Sequence, residues 1–374
     1  MTTDSLGVYV HIPYCVRKCN YCDFCSRGIG NTPVDDRYID SLISEIRSLK
    51  SDKRRKIDTV YVGGGTPSLL SPKQLENIIF ALKFTFHFEK NVEFTLEANP
   101  GTVSFDKLSL FRSLGVNRLS FGVQSMNQTE LSALGRIYSL KDVYDSYRAA
   151  RDAGFDNVSF DLMYGIPGMT LRSHKDTLGA VLDLSPEHIS LYGLILEEGT
   201  KFFDMKDKLN LPSLDEECDM YYEAAELLSK HGYSHYEISN YAKRGFESRH
   251  NLKYWTLREY VGFGASAASF YGGRRLVNTS NIDEYILSQG LKYEREENVS
   301  ATDAAYEYVM LGLRLRDGIS LCDYRERFGT DFLDGRRELI ERLVSSGLAH
   351  LSFDRFALTE RGFYVSNSIL TEIL

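Results

Sequence analysis

Six short apolar segments recur along the first two hundred residues, and stretches long enough for helices separate them. In chain order the segments read GVYVHIP from Gly7, DTVYVGGG from Asp58, NVEFTLEANP from Asn91, NRLSFGVQS from Asn117, NVSFDLMYGIP from Asn157 and HISLYGLILE from His188. Strands that alternate with helices form parallel βαβ units, and nearly all such crossovers are right-handed. The pattern therefore predicts an α/β fold, either a doubly wound sheet or a partly closed barrel.

The polar side chains of these segments fall on one face of each strand. Glu97, Gln124 and Asp161 all alternate with apolar neighbours, as expected where the other face of the strand packs on a core. Each polar row ends near the carboxyl end of its strand, where parallel α/β folds build their sites. A plainer interpretation is that such groups only bond to loop backbones, but the recurrence of the pattern in several strands favours a shared site.

The sequence pattern changes after residue 205, which divides the chain into three predicted regions. Residues 1–205 hold the alternating strands and helices, 206–299 begin with a polar connector, and 300–374 hold several helices. LAHLSFDRFALT, from Leu348, predicts a two-stranded ribbon, and a terminal helix follows it. Helices followed by a ribbon indicate an α+β domain that ends in a winged-helix-like segment. Its arginines alternate with acidic residues, which favours a solvated charged face over a nucleic-acid partner.

Charge and hydropathy argue against other classes of protein. The 374 residues carry 44 Lys and Arg against 52 Asp and Glu, and the formal net charge of −8 argues against a surface that binds nucleic acid throughout. Apolar runs stay short of the roughly 18 residues that cross a bilayer, and the first residues lack the plan of a signal peptide. We therefore expect a soluble, cytoplasmic protein without a transmembrane segment.

Cysteines are crowded near the N-terminus, where four of the six fall within eleven residues: Cys15, Cys19, Cys22 and Cys25. The C-x3-C-x2-C spacing of the first three is too tight for two structural disulfides and one ligand short of a closed tetrahedral zinc site. A cluster of four irons and four sulfides held by three cysteines keeps one iron open for another ligand. Cys25 allows a second interpretation of the cysteine segment. As a fourth ligand, it would complete a zinc site or a fully ligated cluster.

Several further motifs follow the cysteine segment. YVHIPYCVRKCNYCDF from Tyr9 precedes GGGTPSLL from Gly63, EANPG from Glu97, FGVQS from Phe121, LGRIYS from Leu134 and DLMYGIPGMT from Asp161. Together they resemble the motifs of radical S-adenosylmethionine (SAM) proteins of the coproporphyrinogen dehydrogenase group. The resemblance implies that the six strands form a partial (β/α)6 TIM-type barrel. It also implies that Cys15, Cys19 and Cys22 hold a 4Fe-4S cluster on the loop after the first strand.

The resemblance further implies a binding site for SAM. Glu97 and Arg136 can answer the ammonium and carboxylate charges of SAM, while Gln124 and Asp161 can hydrogen-bond to its other polar groups. The complete set of implied contacts is Tyr9, Tyr21, Gly64, Gly65, Thr66, Glu97, Gln124, Arg136, Asp161 and Ile195. A partner that delivers an electron, such as a reduced flavodoxin or ferredoxin, is implied as well.

Two subgroups of this family differ in function, and three features side with the HemW subgroup of heme chaperones. Phe24 stands where the dehydrogenases carry a further cysteine, and the chain reaches Cys15 without their longer N-terminal extension. HNLKYW from His250 resembles the H-N-x-x-Y-W hallmark of HemW proteins. The implied function is to bind heme and transfer it to an acceptor protein, with transient membrane association left open. The alternative is an oxygen-independent coproporphyrinogen III oxidase or another tetrapyrrole-modifying radical SAM enzyme.

The predicted heme ligand is His250. Heme iron takes imidazole readily, and the aromatic residues that follow in the motif could pack on a porphyrin. An ordinary structural histidine is the alternative interpretation, and His231 and His235 are other candidate ligands. Tyr138 stands where the subgroup often has histidine, so this position offers no imidazole.

Overall fold

The structure, a computed structural model, describes residues 5–49 and 55–374. Strands alternate with helices in the first part of the chain, in the order β1 Ser5–Ile12, β2 Tyr14–Cys15, β3 Arg27–Gly28, α1 Asp36–Ser48, β4 Lys56–Gly64, α2 Pro72–Thr85, β5 His87–Ala98, α3 Phe105–Leu114, β6 Arg118–Gln124, α4 Gln128–Leu134, α5 Leu140–Asp152, β7 Val158–Tyr164, α6 Leu171–Leu184 and β8 His188–Gly193. Two short 3-10 helices cover Pro67–Leu69 and Lys206–Lys208. The six predicted segments therefore correspond to β1, β4, β5, β6, β7 and β8.

These six strands lie side by side in chain order, and every neighbouring pair is parallel. Their register aligns the predicted polar residues, since Glu97 lies opposite Ser120 and Asp161 lies opposite Ser190. Apolar residues of the alternate rows, such as Leu96, are fully buried in the main core with residues of the covering helices. The predicted α/β fold is confirmed, and its polar rows share one face of the sheet.

The main sheet is wider than the six predicted strands. Residues after β8 add α7 Lys201–Asp204, α8 Leu214–Lys230, β9 Ser234–Glu237, β10 Asn240–Ala242, α9 Arg249–Trp255, β11 Tyr260–Phe263, β12 Ala268–Tyr271, β13 Arg274–Asn278, α10 Ile282–Leu287 and β14 Tyr293–Asn298. Strand β11 pairs in parallel with β1 and continues through β12 and β13 to β14, while β10 and β9 extend the sheet beyond β8. The region 206–299 thus extends both edges of the sheet, and its separation at residues 205 and 299 stays a prediction.

The last part of the chain packs around a second apolar core. Its elements are α11 Ala301–Gly312, β15 Ile319–Ser320, α12 Leu321–Phe328, α13 Arg337–Ser345, β16 Ala349–Leu351, β17 Arg355–Leu358, α14 Glu360–Tyr364 and α15 Ser366–Ile373. Phe332 and Phe356 lie at the centre of this core with no exposed surface. The ribbon predicted from Leu348 forms β16 and β17, and β15 pairs with β17 as a third strand.

Helix boundaries follow the capping signals of the sequence. Ser300 precedes α11, and its hydroxyl accepts a hydrogen bond from the backbone N–H of Asp303 at 3.1 Å. Ser213 opens α8 with a reciprocal capping box to Glu216. Gly232, two residues beyond α8, has a φ of 83° that suits glycine and turns the chain into β9. Among the described helices, none is long and apolar enough to cross a membrane.

Candidate functional site

A cavity of about 390 Å³ opens where the carboxyl ends of the parallel strands meet the cysteine loop. The predicted residues that line it are Cys15, Cys19, Tyr21, Cys22, Gly64, Gly65, Thr66, Glu97, Gln124, Arg136, Asp161 and Ile195. Tyr9 and His250 lie outside the lining, and the Tyr9 hydroxyl contacts His11 Nδ1 at 2.9 Å instead. A volume of this size is typical of sites for small molecules and cofactors.

Three thiols of the cysteine loop face this cavity. The loop is fixed to the end of α4, because the backbone and side-chain N–H groups of Asn20 donate to the carbonyls of Leu134 and Ala133 at 3.0 and 2.9 Å. All three cysteines are free, and burial raises the pKa of Cys22 to about 11. Such a thiol stays protonated until a metal displaces the proton.

The donor set fits an iron–sulfur cluster, since thiolates are the ligands that bind these clusters. Within residues 5–49 and 55–374, no three Cys, His, Asp or Glu side chains converge closely enough to hold a single metal ion. A cluster of several irons is wider than one ion and needs ligands spread around it.

Cys25 points elsewhere. Its Sγ donates to the carbonyl of Ser280 at 3.2 Å, and it is not among the residues that line the cavity. The charges that act on its thiol come chiefly from Lys18, Glu294 and Arg27. The structure therefore groups Cys15, Cys19 and Cys22 and separates Cys25 from them.

Two positions with positive φ shape the cavity wall. Gly64 ends β4 with a φ of 111°, and a Cβ atom there would lie 2.5 Å from the ring of His11. Gln124 ends β6 with a φ of 63°, which is uncommon for a residue with a side chain. At Gly65, a Cβ atom would lie 2.6 Å from the carbonyl oxygen of Tyr14. Neighbouring protein atoms therefore leave no room for a side chain at Gly64 or Gly65, whose backbone forms part of the cavity wall.

Glu97 and Asp161 place two half-buried carboxyl groups on the cavity wall. Glu97 accepts hydrogen bonds from the Tyr61 hydroxyl at 2.8 Å and the backbone N–H of Gly64 at 3.0 Å. Burial and the nearby charge of Asp161 raise the pKa of Glu97 to about 7. Burial also raises the pKa of Asp161, which accepts a hydrogen bond from the Ser120 hydroxyl at 3.1 Å. A cationic ligand group would favour the ionised form of either carboxyl.

Arg136 forms the opposite, cationic part of the site. Its guanidinium donates to Asn99 Oδ1 at 3.1 Å and to the Tyr21 hydroxyl at 3.0 Å. Tyr138, which replaces the usual histidine, packs 5.6 Å from the Arg136 guanidinium and donates to the carbonyl of Gly122 at 2.6 Å. Tyr138 therefore supports Arg136, which gives this departure from the subgroup pattern a structural role.

Some cavity residues were not singled out from the sequence. Asn99 joins two predicted contacts, because its amide also donates to the Thr66 hydroxyl at 2.9 Å. Arg118, His188 and Asn251 line the cavity as well. The period-two row of β6 that holds Ser120 and Gln124 also includes Arg118, so its placement could have been read from the same pattern.

His250 lies beneath the cavity on α9 and is 1% exposed. Its Nδ1 contacts the Thr59 hydroxyl at 2.9 Å, its Nε2 contacts the Tyr254 hydroxyl at 2.8 Å, and its ring stacks on Tyr61 with centroids 5.4 Å apart. The pKa of His250 is lowered to about 3, chiefly by burial and secondly by the nearby charge of Lys253. Both ring nitrogens therefore have partners in this conformation, and ligation of heme by His250 stays a prediction.

The two alternative histidines occupy different surroundings. His235 contacts a carboxylate oxygen of Glu360 at 3.0 Å and stacks on Tyr241 with centroids 4.1 Å apart. His231 is exposed after α8 and its Nδ1 contacts the carbonyl of Leu227 at 2.8 Å. Neither lines the cavity.

Comparisons with known proteins agree with this geometry. Residues 9–181 match the radical SAM superfamily, and residues 299–365 match the HemN C-terminal domain. The solved structure of coproporphyrinogen III oxidase HemN from Escherichia coli, a radical SAM enzyme, superposes with a TM-score of 0.87 at 24% identity, covering 98% of this chain and 89% of that chain. This likeness confirms the predicted radical SAM fold with its C-terminal domain.

Relatives with similar sequences show which family of the radical SAM superfamily the chain belongs to. Heme chaperone HemW of Bacillus subtilis (strain 168) is 38% identical over 98% of this chain and 99% of its own length. Heme chaperone HemW of Escherichia coli (strain K12) is 34% identical over 98% of this chain and 97% of its own length. Identity at this level over nearly the whole length of both chains means that this chain belongs to the HemW family of the radical SAM superfamily.

Proposed function

We propose that this protein is a heme chaperone that binds a 4Fe-4S cluster, SAM and heme, and passes heme to an acceptor protein. The observation that carries the proposal is the full-length identity of 38% to a heme chaperone HemW. The three free thiols at the cavity support a cluster on Cys15, Cys19 and Cys22. Because ligand thiols must stay reduced, we also propose the cytoplasm as the compartment and a reduced flavodoxin or ferredoxin as the electron donor.

The cavity residues have separate roles toward SAM in this proposal. Glu97 receives the ammonium group and Arg136 receives the carboxylate, because each presents the opposite charge beside the cysteine loop. The backbone of Gly64, Gly65 and Thr66 holds the methionine end. The other proposed contacts at the cavity are Tyr21, Gln124, Asp161 and Ile195, whereas Tyr9 lies outside the lining and its contact with SAM stays a prediction. When bound and reduced, a cluster of this kind supplies an electron to the sulfonium of SAM.

One preparation tests the proposed function against its enzymatic alternative. After anaerobic reconstitution, we expect iron and sulfide in a 4Fe-4S ratio and the uptake of one heme per chain in a spectrophotometric titration. We expect coproporphyrinogen III to yield no decarboxylated product under reducing conditions with SAM. Decarboxylated product together with 5′-deoxyadenosine, in the absence of heme uptake, would identify an oxygen-independent coproporphyrinogen III oxidase instead.

Ligation of heme by His250 requires a change in its hydrogen bonds. One ring nitrogen must lose its hydrogen-bond partner to bind iron, and Nε2 is bonded to the Tyr254 hydroxyl. We expect His250→Ala to weaken heme binding by about tenfold or more and to shift the Soret band. Tyr254→Phe removes the competing hydroxyl and should bind heme at least as tightly as the parent. A lowered melting temperature in His250→Ala with an unchanged Soret band would show that His250 only supports the barrel.

The raised pKa of Glu97 predicts a pH dependence of SAM binding. Glu97 ionises with a pKa of about 7, so the carboxylate that pairs with the ammonium becomes populated as the pH rises through 7. The affinity of the parent relative to Glu97→Gln should therefore increase as the pH rises from 6 towards 7.5, where an ordinary α-amino group stays mostly protonated. In Asp161→Asn the midpoint should move to lower pH, because the charge of Asp161 raises the pKa of Glu97. A ratio that is independent of pH would contradict the assigned role of Glu97.

A further inference from the structure

Arg118 is a buried cation at the inner end of the cavity. It is 2% exposed, begins β6 and lines the cavity on the same strand face as Ser120, Gly122 and Gln124. Thr95 lies opposite Arg118, whereas Glu97 lies opposite Ser120. Arg118 therefore sits one side-chain repeat, about 7 Å along the strand, deeper in the barrel than the layer that holds Glu97.

The guanidinium of Arg118 makes no hydrogen bond to the described protein, although its charge acts on the nearby carboxyl groups of Glu97 and Asp161. Among residues 5–49 and 55–374, no hydrogen bond or ion pair to this guanidinium is present, and its Nε is buried without an acceptor. The nearby carboxyl groups are engaged elsewhere, since Glu97 accepts from Tyr61 and Gly64, and Asp161 accepts from Ser120. A buried guanidinium has five N–H donors to satisfy, so this arrangement is unfavourable unless a ligand completes it.

The surrounding groups also leave the cavity side of Arg118 open. His188, which lines the same cavity, is held by the Ser159 hydroxyl at 2.7 Å and by the Tyr236 hydroxyl at 2.8 Å. It therefore presents no free acceptor to the guanidinium. Planar guanidinium groups match carboxylates in a bidentate geometry, which makes a carboxylate the anion best suited to this position.

We propose that Arg118 is a carboxylate receptor at the floor of the barrel, and that it binds a carboxylate of the molecule that fills the cavity. Resting on the proposed function, that carboxylate belongs to a propionate arm of heme, because Arg136 near the cysteine loop already answers the carboxylate of SAM. The shared chemistry is a carboxylate in either case. The two sources make different predictions for variants of Arg118.

The test begins with a probe that needs neither heme nor SAM. Sodium propionate should raise the melting temperature of the parent protein and leave that of Arg118→Met unchanged. Without ligand, Arg118→Met should stay folded, because the change breaks no hydrogen bond to the protein. Arg148→Met removes the same charge from the exposed face of α5 and should respond to propionate like the parent.

Titrations with heme, heme dimethyl ester and SAM identify the source of the carboxylate. Each is carried out on the parent, Arg118→Met and Arg118→Lys. A propionate arm predicts that Arg118→Met binds heme about tenfold more weakly while heme dimethyl ester binds equally to both proteins. If Arg118 instead binds the carboxylate of SAM, Arg118→Met should lose about the same affinity for SAM and none for heme. In either case the affinity of Arg118→Lys should lie between those of the parent and Arg118→Met. Unchanged binding of propionate, heme and SAM, with a lower melting temperature of Arg118→Met, would overturn the proposal and make Arg118 a structural counter-ion. If the parent takes up no heme, the proposed function fails, while the propionate and SAM titrations still decide the role of Arg118.

Discussion

Replacing Cys22 with alanine should reduce the iron content of the reconstituted protein from about four atoms per chain to nearly none. Cys22 is one of three thiols that face the cavity, and a cluster left with two protein ligands loses the fixed geometry that holds it. Cys15→Ala and Cys19→Ala should behave in the same way. Quantification of iron and acid-labile sulfide after anaerobic desalting measures the effect.

Cys25→Ala is the matched control, because it removes a thiol that lies only three residues after Cys22 but donates to the carbonyl of Ser280. We expect this variant to retain the iron content of the parent. The electron paramagnetic resonance spectrum of its reduced cluster should still change when SAM is added, since an open iron remains to bind it. Loss of iron in Cys25→Ala equal to that in Cys22→Ala would instead establish a cluster with four cysteine ligands.

The central strands could be predicted because their signal is local. Alternation along β5, β6 and β7 places Glu97, Gln124 and Asp161 on one face without any knowledge of the neighbouring strand. The pairing of β1 with β11 is different, because Gly7 meets Tyr260 across some two hundred and fifty residues of chain. Strand β11 covers only Tyr260–Phe263, too short a run to give a period of its own. The outer half of the sheet therefore depends on tertiary contacts that the sequence pattern does not show.

The candidate site likewise has parts that the sequence predicts and parts that depend on tertiary contacts. The cysteine spacing and the glycine-rich segment are contiguous motifs, so both could be recognised from the chain. The surroundings of His250 could not, because the ring that stacks on it belongs to Tyr61, on a strand far away in sequence. The ring of Tyr254 packs against that of Tyr260 with centroids 4.6 Å apart, and the packing of Tyr254 and Trp255 on a porphyrin stays a prediction. The partners of a motif residue can thus come from strands that the motif itself does not indicate.

Replacing Lys253 with methionine should destabilise the protein by about 3 kcal/mol. Lys253 Nζ lies 2.8 Å from Asp58 Oδ1, and the two side chains are 7% and 15% exposed. Removing one partner of such a buried pair leaves a charge that water reaches poorly. Arg249, 3.9 Å from the same carboxylate, offsets part of the loss. Urea titration followed by tryptophan fluorescence measures the effect, since the single tryptophan, Trp255, is the last residue of α9.

Two comparisons separate the buried pair from a general effect of charge. Lys141 pairs with Asp145 on the surface, so Lys141→Met should leave the urea midpoint nearly unchanged. Adding Asp58→Asn to Lys253→Met removes the stranded charge and should restore most of the lost stability. A loss in Lys253→Met no larger than in Lys141→Met would mean that the pair does not hold α9 in place. If the loss is as large as expected, Lys253 of the HNLKYW motif anchors α9 to the sheet. The start of the same helix is held by Glu93, whose carboxylate accepts the backbone N–H groups of Arg249 and His250 at 3.0 Å.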